Sequence, residues 1–227
     1  RRPKWLRAID LLNDLPVNIA IDRNEAGSGL IADILRQKNP DLVVFDFVHS
    51  AVLMPSDLGI ASVCFTHNVE AEIFNRHLSL AGNPATRWLW SSQLIKMQRF
   101  ERNVLRHFTS VIAVSEKDAQ HFRDSYGVKQ AAAIPTGVDL DFFSWSEPGA
   151  GSTQASPTVV FTGSMDWMAN IDGIEFFIDE VWPAVVAREP RARLIVVGRN
   201  PPSSLVNRVR SFPNIELTGF VDDVRPY

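Results

Sequence analysis

The chain has 227 residues, of which 45% are hydrophobic and 22% are charged, a composition typical of globular proteins and not of disordered or fibrous ones. Its formal charge of -3 excludes the global basic field by which many proteins attract nucleic acid, so we expect no nucleic-acid partner. No apolar stretch is long enough to span a bilayer, and the lone cysteine, Cys64, excludes an internal disulfide.

Short apolar runs, each bounded by turn or helix-start residues, predict strands of parallel sheets that are covered on both faces. The runs are residues 42–47, 61–65, 111–114, 131–134, 158–162, 193–197 and 215–218. Helical patterns lie between them: an apolar stripe at 87–107, a helix opened by Ser115 with Glu116 in its first turn, and a helix at 171–187. This alternation of strands and helices predicts a doubly wound α/β architecture.

One segment interrupts the alternation. Residues 144–157 read SWSEPGAGSTQASP, and this density of Gly, Ser, Pro and Thr predicts an interdomain linker. We therefore expect two domains, at residues 1–147 and 155–227. The second domain has only three predicted strands, and both ends of the chain read as helix, so we expect both domains to be incomplete.

Polar side chains follow the first two predicted strands, at the edge of the sheet where open α/β folds bind ligands. His67 follows the second strand, where a histidine can donate to a substrate hydroxyl or phosphate, or transfer a proton. In the alternative interpretation His67 is incidental, Thr66 or Asn68 caps the next helix, and Glu70 occupies its first turn. His49, after the first strand, lines the same cleft or is a satisfied polar residue at a strand end.

In the second domain, candidate phosphate-binding residues again follow strands. Gly163 permits a tight turn and a close approach of backbone N–H groups to an anion, and the helix near Asn170 would direct its positive end at a phosphate. Gly198 and Arg199 follow the next strand, and an arginine there suits bidentate phosphate binding. The alternatives are an ordinary turn with Asn170 or Asp172 as helix cap, and a surface arginine.

Several catalytic motifs are absent from the sequence. It contains no dinucleotide fingerprint, Walker loop, zinc-protease motif or nucleophile elbow, and no cysteines or histidines at metal-ligand spacing. We therefore expect neither a metal nor an organic cofactor. Cys64 lies in an apolar run, which favours a buried, reduced thiol. We expect a cytoplasmic protein that can contact the inner face of the membrane.

Taken together and in order, five segments resemble bacterial group 1 glycosyltransferases of family GT4. They are VIAV followed by Ser115, IPTGVDLDFF, VVFTGSMDWMANIDGIEFF, RLIVVGRNPP and IELTGFVDDVRPY. FTGSMDW with VGRNPP looks most like sugar transferases linked to exosortase and exopolysaccharide clusters. The resemblance implies a GT-B fold of two Rossmann-like domains, and metal-independent transfer of a hexose, with retention of configuration, from a nucleotide-diphosphate donor to a glycan or lipid-linked acceptor.

The resemblance also implies roles for single residues. His67 matches the histidine that contacts the donor sugar near the reacting centre, and Gly163 matches the glycine of the diphosphate loop. Ser164 and Asn170 fall where many members carry an arginine and a lysine. The residues expected to bind the donor are Gly163, Ser164, Met165, Asn170, Gly198 and Arg199, and those expected to line the cleft with His67 are His49, Asn68, Glu70, Ser115 and Glu116.

This sequence departs from the family pattern at the phosphates and at both ends. Without the usual arginine and lysine, the phosphate charge must be met by backbone N–H groups, by Arg199 or by residues outside the chain. The family's glutamate pair would lie beyond Tyr227, and its first glycine-rich loop before Arg1. We therefore expect the 227-residue chain to be inactive by itself.

Two other functions and one further contact are compatible with the sequence. A nucleotide-sugar epimerase would use Glu70 or Glu116 as acid and base, and a degenerate, non-catalytic module would bind a nucleotide or glycan without turnover. The basic residues 1–7, which include Trp5, indicate either peripheral membrane contact or a solvated helix face.

Overall fold

The computed structural model describes Leu11 and residues 13–55, 58–144 and 156–227. Contacts divide the chain into two compact units, Arg1–Gly137 and Val138–Tyr227. Most of the predicted linker, and the basic segment at residues 1–7, lie outside the described residues. The domain bounds at 147 and 155 therefore stay a prediction.

The first unit contains a four-stranded parallel sheet with its strands in chain order. The strands are β1 (Leu42–Asp46), β2 (Ala61–Thr66), β3 (Ser110–Ala113) and β4 (Ala131–Ala133). The helices are α1 (Val17–Asp22), α2 (Glu25–Lys38), α3 (Glu70–Ser79), α4 (Pro84–Leu105) and α5 (Glu116–Tyr126), with a 3-10 helix at Val48–Leu53. Asp46 pairs with Phe65 and Thr66 with Ala113, so the loops after β1, β2 and β3 leave the sheet at one edge.

The core of the first unit lies between this sheet and the helices. Cys64 on β2 and Val111 on β3 are fully buried and pack in one cluster with Met97 and Phe122 from the helices. This confirms the prediction of a buried thiol. Burial, reinforced by the charges of nearby carboxylates, raises the pKa of Cys64 to about 12, so the thiol stays protonated and unreactive.

The second unit contains a three-stranded parallel sheet, again in chain order. Its strands are β5 (Thr158–Thr162), β6 (Arg193–Val197) and β7 (Ile215–Gly219), and its helices are α6 (Met168–Phe176), α7 (Trp182–Arg188) and α8 (Ser203–Val209). A wider, π-type turn at Phe177–Val181 joins α6 to α7. Pro183 lies in the first turn of α7 and lacks the N–H that would continue a regular ladder, which accounts for the irregular turn.

The predicted α/β fold with two parallel sheets is thus confirmed. β5 and β6 coincide with their predicted ranges, and the other strands differ from theirs by one residue at one or both ends. The helix predicted at 171–187 begins earlier, at Met168. Within the described residues, no helix combines the length and the apolar character needed to cross a membrane.

Candidate functional site

His67 lies at the carboxyl edge of the first sheet, directly after β2. Its Nε2 is 2.7 Å from Oδ1 of Asp46, the last residue of β1. The imidazole stacks on Phe47, with centroids 4.4 Å apart and an interplanar angle of 15°, and the ring of Phe65 lies edge-on at 4.8 Å. These contacts hold the ring on three sides, yet 36% of the His67 side chain remains exposed. The histidine is therefore both oriented and accessible to a ligand.

Phe47 reaches the imidazole through an unusual backbone conformation. Its φ of 70° lies in the left-handed region, which costs a bulky residue roughly 1–3 kcal/mol. Its N–H donates to Phe65 O at 2.9 Å, and its carbonyl accepts from Ser50 Oγ at 2.7 Å. The sequence carries no signal for this turn, because the position holds neither Gly nor Asn.

His49 and Glu70, both predicted to line the cleft, do come together. His49 Nε2 lies 3.3 Å from Glu70 Oε2 and 3.4 Å from Asn18 Nδ2. The hydrogen bond to Glu70 raises the pKa of His49, against the opposing effect of burial. The Glu70 side chain is buried and that of His49 is partly buried, so this pair is less accessible than His67.

The first N–H groups of α3, the helix that follows His67, donate to a side chain that is distant in the sequence. The N-cap of α3 is Val69, which makes no side-chain capping bond, so the alternative interpretation, in which Thr66 or Asn68 caps this helix, is wrong about the cap. Thr66 Oγ1 instead donates to Ile112 O. Glu101 of α4, which is fully buried, accepts from Glu70 N at 2.7 Å, Ala71 N at 3.1 Å and Tyr126 Oη at 2.9 Å.

Sequence reasoning missed Glu101, because it lies 31 residues from its first partner and within the apolar stripe of a helix. Burial raises the pKa of its carboxyl to about 7, although the three donors favour the charged form. The loop that carries His67 is thus anchored to the core by a carboxylate from another helix.

Ser115 and Glu116, the last two cleft candidates, are engaged in their own helix. Ser115 is the N-cap of α5, as predicted, and its Oγ accepts from Asp118 N at 3.1 Å. Glu116 forms an ion pair with Arg123, which lies about two helical turns later. Both residues stabilise the start of α5 at the edge where β3 ends.

A pocket of about 250 Å³ lies at the carboxyl edge of the second sheet. Four of the six residues predicted to bind the donor line it, while Met165 is buried in the core and Asn170 lies on α6. The lining residues from the three strand ends are Thr162, Gly163, Ser164, Val197, Gly198, Arg199, Phe220, Val221 and Val224.

The loops after β5 and β6 touch backbone to backbone in this pocket. Gly163 N donates to Val197 O and Met165 N donates to Arg199 O, both at 3.0 Å. A Cβ on Gly198 would lie 1.8 Å from the carbonyl oxygen of Gly163, and a Cβ on Gly163 would lie 2.9 Å from Asn170 Nδ2. Gly198 is therefore required by the close approach of the neighbouring backbone, whereas the nearest neighbour of Gly163 is the end of a side chain.

Arg199 crosses from its own loop to the neighbouring one. Its Nε is 3.1 Å from Ser164 Oγ and 2.9 Å from Asp166 Oδ2, and its two Nη atoms have no partner among the described residues. Asn200 Nδ2 donates to Asp166 Oδ1 at 3.0 Å. The hydrogen bond from Asn200 makes the largest contribution to lowering the pKa of Asp166, and Ser164 and Arg199 lower it further. The carboxylate of Asp166 therefore stays charged.

Ser164 and Asn170, at the positions where the resemblance expects an arginine and a lysine, both take part in the contact between these loops. Ser164 supplies the hydroxyl that meets Arg199, and Asn170 Nδ2 donates to Ser164 O at 2.8 Å. The N-cap of α6 is Trp167, so the alternative interpretation, in which Asn170 or Asp172 caps this helix, is wrong about the cap. Asn170 instead braces the loop from within the first turn.

Neither a larger cavity nor a metal-binding cluster offers an alternative site among the described residues. A larger cavity, of about 980 Å³, lies in the first unit, but residues next to the start of β2 and β3, such as Ser62 and Thr109, line it, and none of the predicted site residues does. No group of three or more His, Cys, Asp or Glu side chains in the described ranges is placed to hold a metal ion.

Two family models match the chain. The model described as Glycosyltransferase Family 4 matches residues 16–142, which is more than half of the chain, and the model described as Glycosyl transferases group 1 matches residues 156–227. A search of curated proteins finds no match to the chain. The first match includes His67 and its partners, and the second includes the pocket with Arg199.

Proposed function

The chain belongs to glycosyltransferase family 4, and we propose that it moves a hexose from a nucleotide-diphosphate donor to a hydroxyl of a glycan or lipid-linked acceptor. The proposal includes retention of configuration, independence from metals and organic cofactors, and a role in exopolysaccharide or other surface-polysaccharide synthesis. The observation that carries it is the arginine whose Nη atoms are unpartnered at the edge of a pocket formed by two close backbone loops.

In this proposal the second unit binds the diphosphate. A volume of about 250 Å³ is below the range of roughly 300–1,000 Å³ typical of drug-sized ligands, so the pocket has room for part of a nucleotide sugar, such as its diphosphate, and not for the whole molecule. Gly163 and Gly198 permit close backbone approach, and the Nη atoms of Arg199 can donate two parallel, charge-assisted hydrogen bonds to phosphate oxygens. Arg199 thus replaces the cations that the family carries at positions 164 and 170.

The proposed reaction is a displacement at the anomeric carbon. The acceptor oxygen bonds to that carbon on the face from which the diphosphate departs, the bond to the diphosphate oxygen breaks, and the hydroxyl proton moves to the departing diphosphate. The rate would come from positioning and from stabilising the charge on the leaving group, with His67 contacting the donor sugar.

The contacts of the carboxylates disfavour an epimerase. Glu70 is buried and hydrogen-bonded to His49, and Glu116 pairs with Arg123 on its own helix, so both carboxylates already have partners within the first unit. A non-catalytic nucleotide-binding module would share the pocket with a transferase. Release of nucleoside diphosphate only in the presence of acceptor would separate the two.

Replacing Arg199 with alanine is expected to weaken nucleoside diphosphate binding about tenfold or more, because a hydrogen bond to a charged group contributes about 1.5–3 kcal/mol. The measurement is a thermal-shift titration of the chain with UDP, GDP, ADP, NAD and inorganic phosphate. We expect one nucleoside diphosphate to stabilise the wild type and to require a higher concentration in Arg199→Ala.

The matched control for this experiment is Arg193→Ala. Arg193 lies at the other end of β6, is similarly exposed and pairs with Glu216. We expect this variant to bind the nucleotide like the wild type. Equal binding by Arg199→Ala and wild type would refute the proposed diphosphate site.

We also propose that the protein binds its acceptor at the surface of an anionic membrane, on the cytoplasmic side. The surface in question is the tip of the hairpin of α3 and α4, where Leu80 is 78% exposed and Trp88 is 73% exposed. Residues 73–100, which include this tip, hold four Lys or Arg residues and no Asp or Glu. Apolar side chains beside unopposed basic charge are typical of surfaces that insert shallowly into anionic headgroups.

The double substitution Leu80→Ser/Trp88→Ser is expected to reduce vesicle binding about tenfold or more, because burying one large apolar side chain is worth about 1.5–3 kcal/mol. The measurement is co-sedimentation with phosphatidylglycerol-containing vesicles at low and high salt, with pure phosphatidylcholine vesicles for comparison. Phe176→Ser, at a similarly exposed position on α6, is the control and should bind like the wild type. Binding that ignores lipid charge, or an equal loss in Phe176→Ser, would contradict the proposal.

A further inference from the structure

We infer that Asp46 and Phe47 are positioning residues that present His67 Nδ1 as a hydrogen-bond acceptor for a hydroxyl of the donor sugar. The inference rests on the proposed function and deepens it, because it states which atom of His67 meets the sugar and in which role. Both residues lie at the end of the predicted strand that precedes His49, the residue of this segment that the sequence analysis singled out.

The first step is the protonation pattern that Asp46 imposes. Nε2 of His67 is 2.7 Å from a carboxylate oxygen of Asp46, and an ionised carboxylate only accepts hydrogen bonds. Nε2 therefore carries the proton, and in the neutral imidazole Nδ1 is left with a lone pair. Nδ1 has no partner among the described residues, so its lone pair is available to a ligand.

The second step is the orientation that Phe47 imposes. Its ring is nearly parallel to the imidazole, with the two ring centroids 4.4 Å apart. This stacking opposes a rotation of the imidazole that would break its hydrogen bond to Asp46. Glycine would adopt the φ of 70° at lower cost, so what Phe47 contributes here is its phenyl ring. Strain of this kind collects at functional sites.

The consequence is a choice between two kinds of ligand atom. A lone pair on Nδ1 attracts a hydroxyl, which can donate, and repels a phosphate oxygen, which cannot. His67 held in this way recognises the sugar and not the diphosphate.

The test is ¹⁵N NMR of the histidine rings in the full chain, at a pH where the imidazoles are neutral, with His67→Gln used for assignment. We expect the Nε2–H tautomer in the wild type and a mixture of tautomers in Asp46→Ala. In Asp46→Asn the amide can present either its oxygen or its NH2 to the ring, so this variant should also lose the single tautomer. Asp41→Ala, at the opposite end of β1, is the matched exposed control and should change nothing. Phe47→Leu should keep the tautomer but loosen the ring.

The second arm adds UDP-glucose and GDP-mannose, each compared with UDP or GDP alone. We expect a sugar nucleotide to shift the Nδ1 resonance where the nucleoside diphosphate alone does not, and Asp46→Ala to weaken its binding about fivefold, the value of one ordinary hydrogen bond. A wild-type Nδ1–H tautomer, or an unchanged tautomer in Asp46→Ala, would overturn the positioning role. Sugar nucleotides that bind without moving Nδ1 would overturn the acceptor role, whereas no binding of any nucleotide would instead count against the proposed function.

Discussion

Gly198→Ala is expected to abolish nucleotide binding at the second unit and to lower its stability by about 1–3 kcal/mol or more, the range of overpacked sites. The added Cβ would lie 1.8 Å from Gly163 O and 2.9 Å from Gly163 C. Both are backbone atoms, and the two loops are tied together by the bonds from Gly163 N and Met165 N. The clash can be relieved only by separating the loops, which moves Arg199 away from Ser164.

The effect of Gly198→Ala is measured by calorimetric unfolding and by the same nucleotide titration that tests Arg199. Gly173→Ala is the matched control in the same unit. A Cβ on Gly173 meets nothing within 4 Å, and alanine is favoured over glycine inside a helix by about 1 kcal/mol, so this variant should be more stable and should bind nucleotide normally. Wild-type nucleotide affinity in Gly198→Ala would show that the loop contact does not shape the site.

Glu101→Ala is expected to lower the free energy of unfolding of the first unit by about 3–5 kcal/mol. The substitution leaves two backbone N–H groups and the Tyr126 hydroxyl buried without their acceptor. Each unsatisfied buried donor costs about 1–3 kcal/mol. Tyr126→Phe removes one donor and one bond together, so its loss should be smaller, and Gln98→Ala, at an exposed position on the same helix, should be nearly neutral.

The pH dependence of unfolding gives an independent readout of Glu101. Burial raises the pKa of this carboxyl from 4.5 to about 7, so its contribution to stability is fully present below about pH 4.5 and is lost as the pH rises through about 7. The bond to Glu70 likewise raises the pKa of His49 above 6.5, with the same sign. The wild-type first unit should therefore lose stability as the pH rises from acidic to neutral.

In Glu101→Gln the same loss should be smaller, because glutamine does not titrate. A profile in Glu101→Gln that parallels the wild type would mean that Glu101 keeps an ordinary pKa in the folded protein. Chemical denaturation at a series of pH values provides the measurement, and it requires no knowledge of the substrate.

Local patterns in the sequence determined the secondary structure and the position of the second-unit loops. The apolar runs predict the strands to within one residue at each end, because a strand covered on both faces needs apolar side chains at successive positions. Ser115 predicts the start of α5, since a cap bonds within its own first turn. Gly163 and Gly198 were identified by their places directly after strands.

Contacts between distant residues were decided only by the tertiary structure. Asp46 meets His67 because parallel pairing brings the ends of β1 and β2 to one edge, and Glu101 reaches the start of α3 because α4 packs beside it. Arg199 meets Ser164 and Asp166 because the loops after β5 and β6 touch. None of these contacts leaves a local pattern, since each depends on the register and packing of elements separated by 21 residues or more.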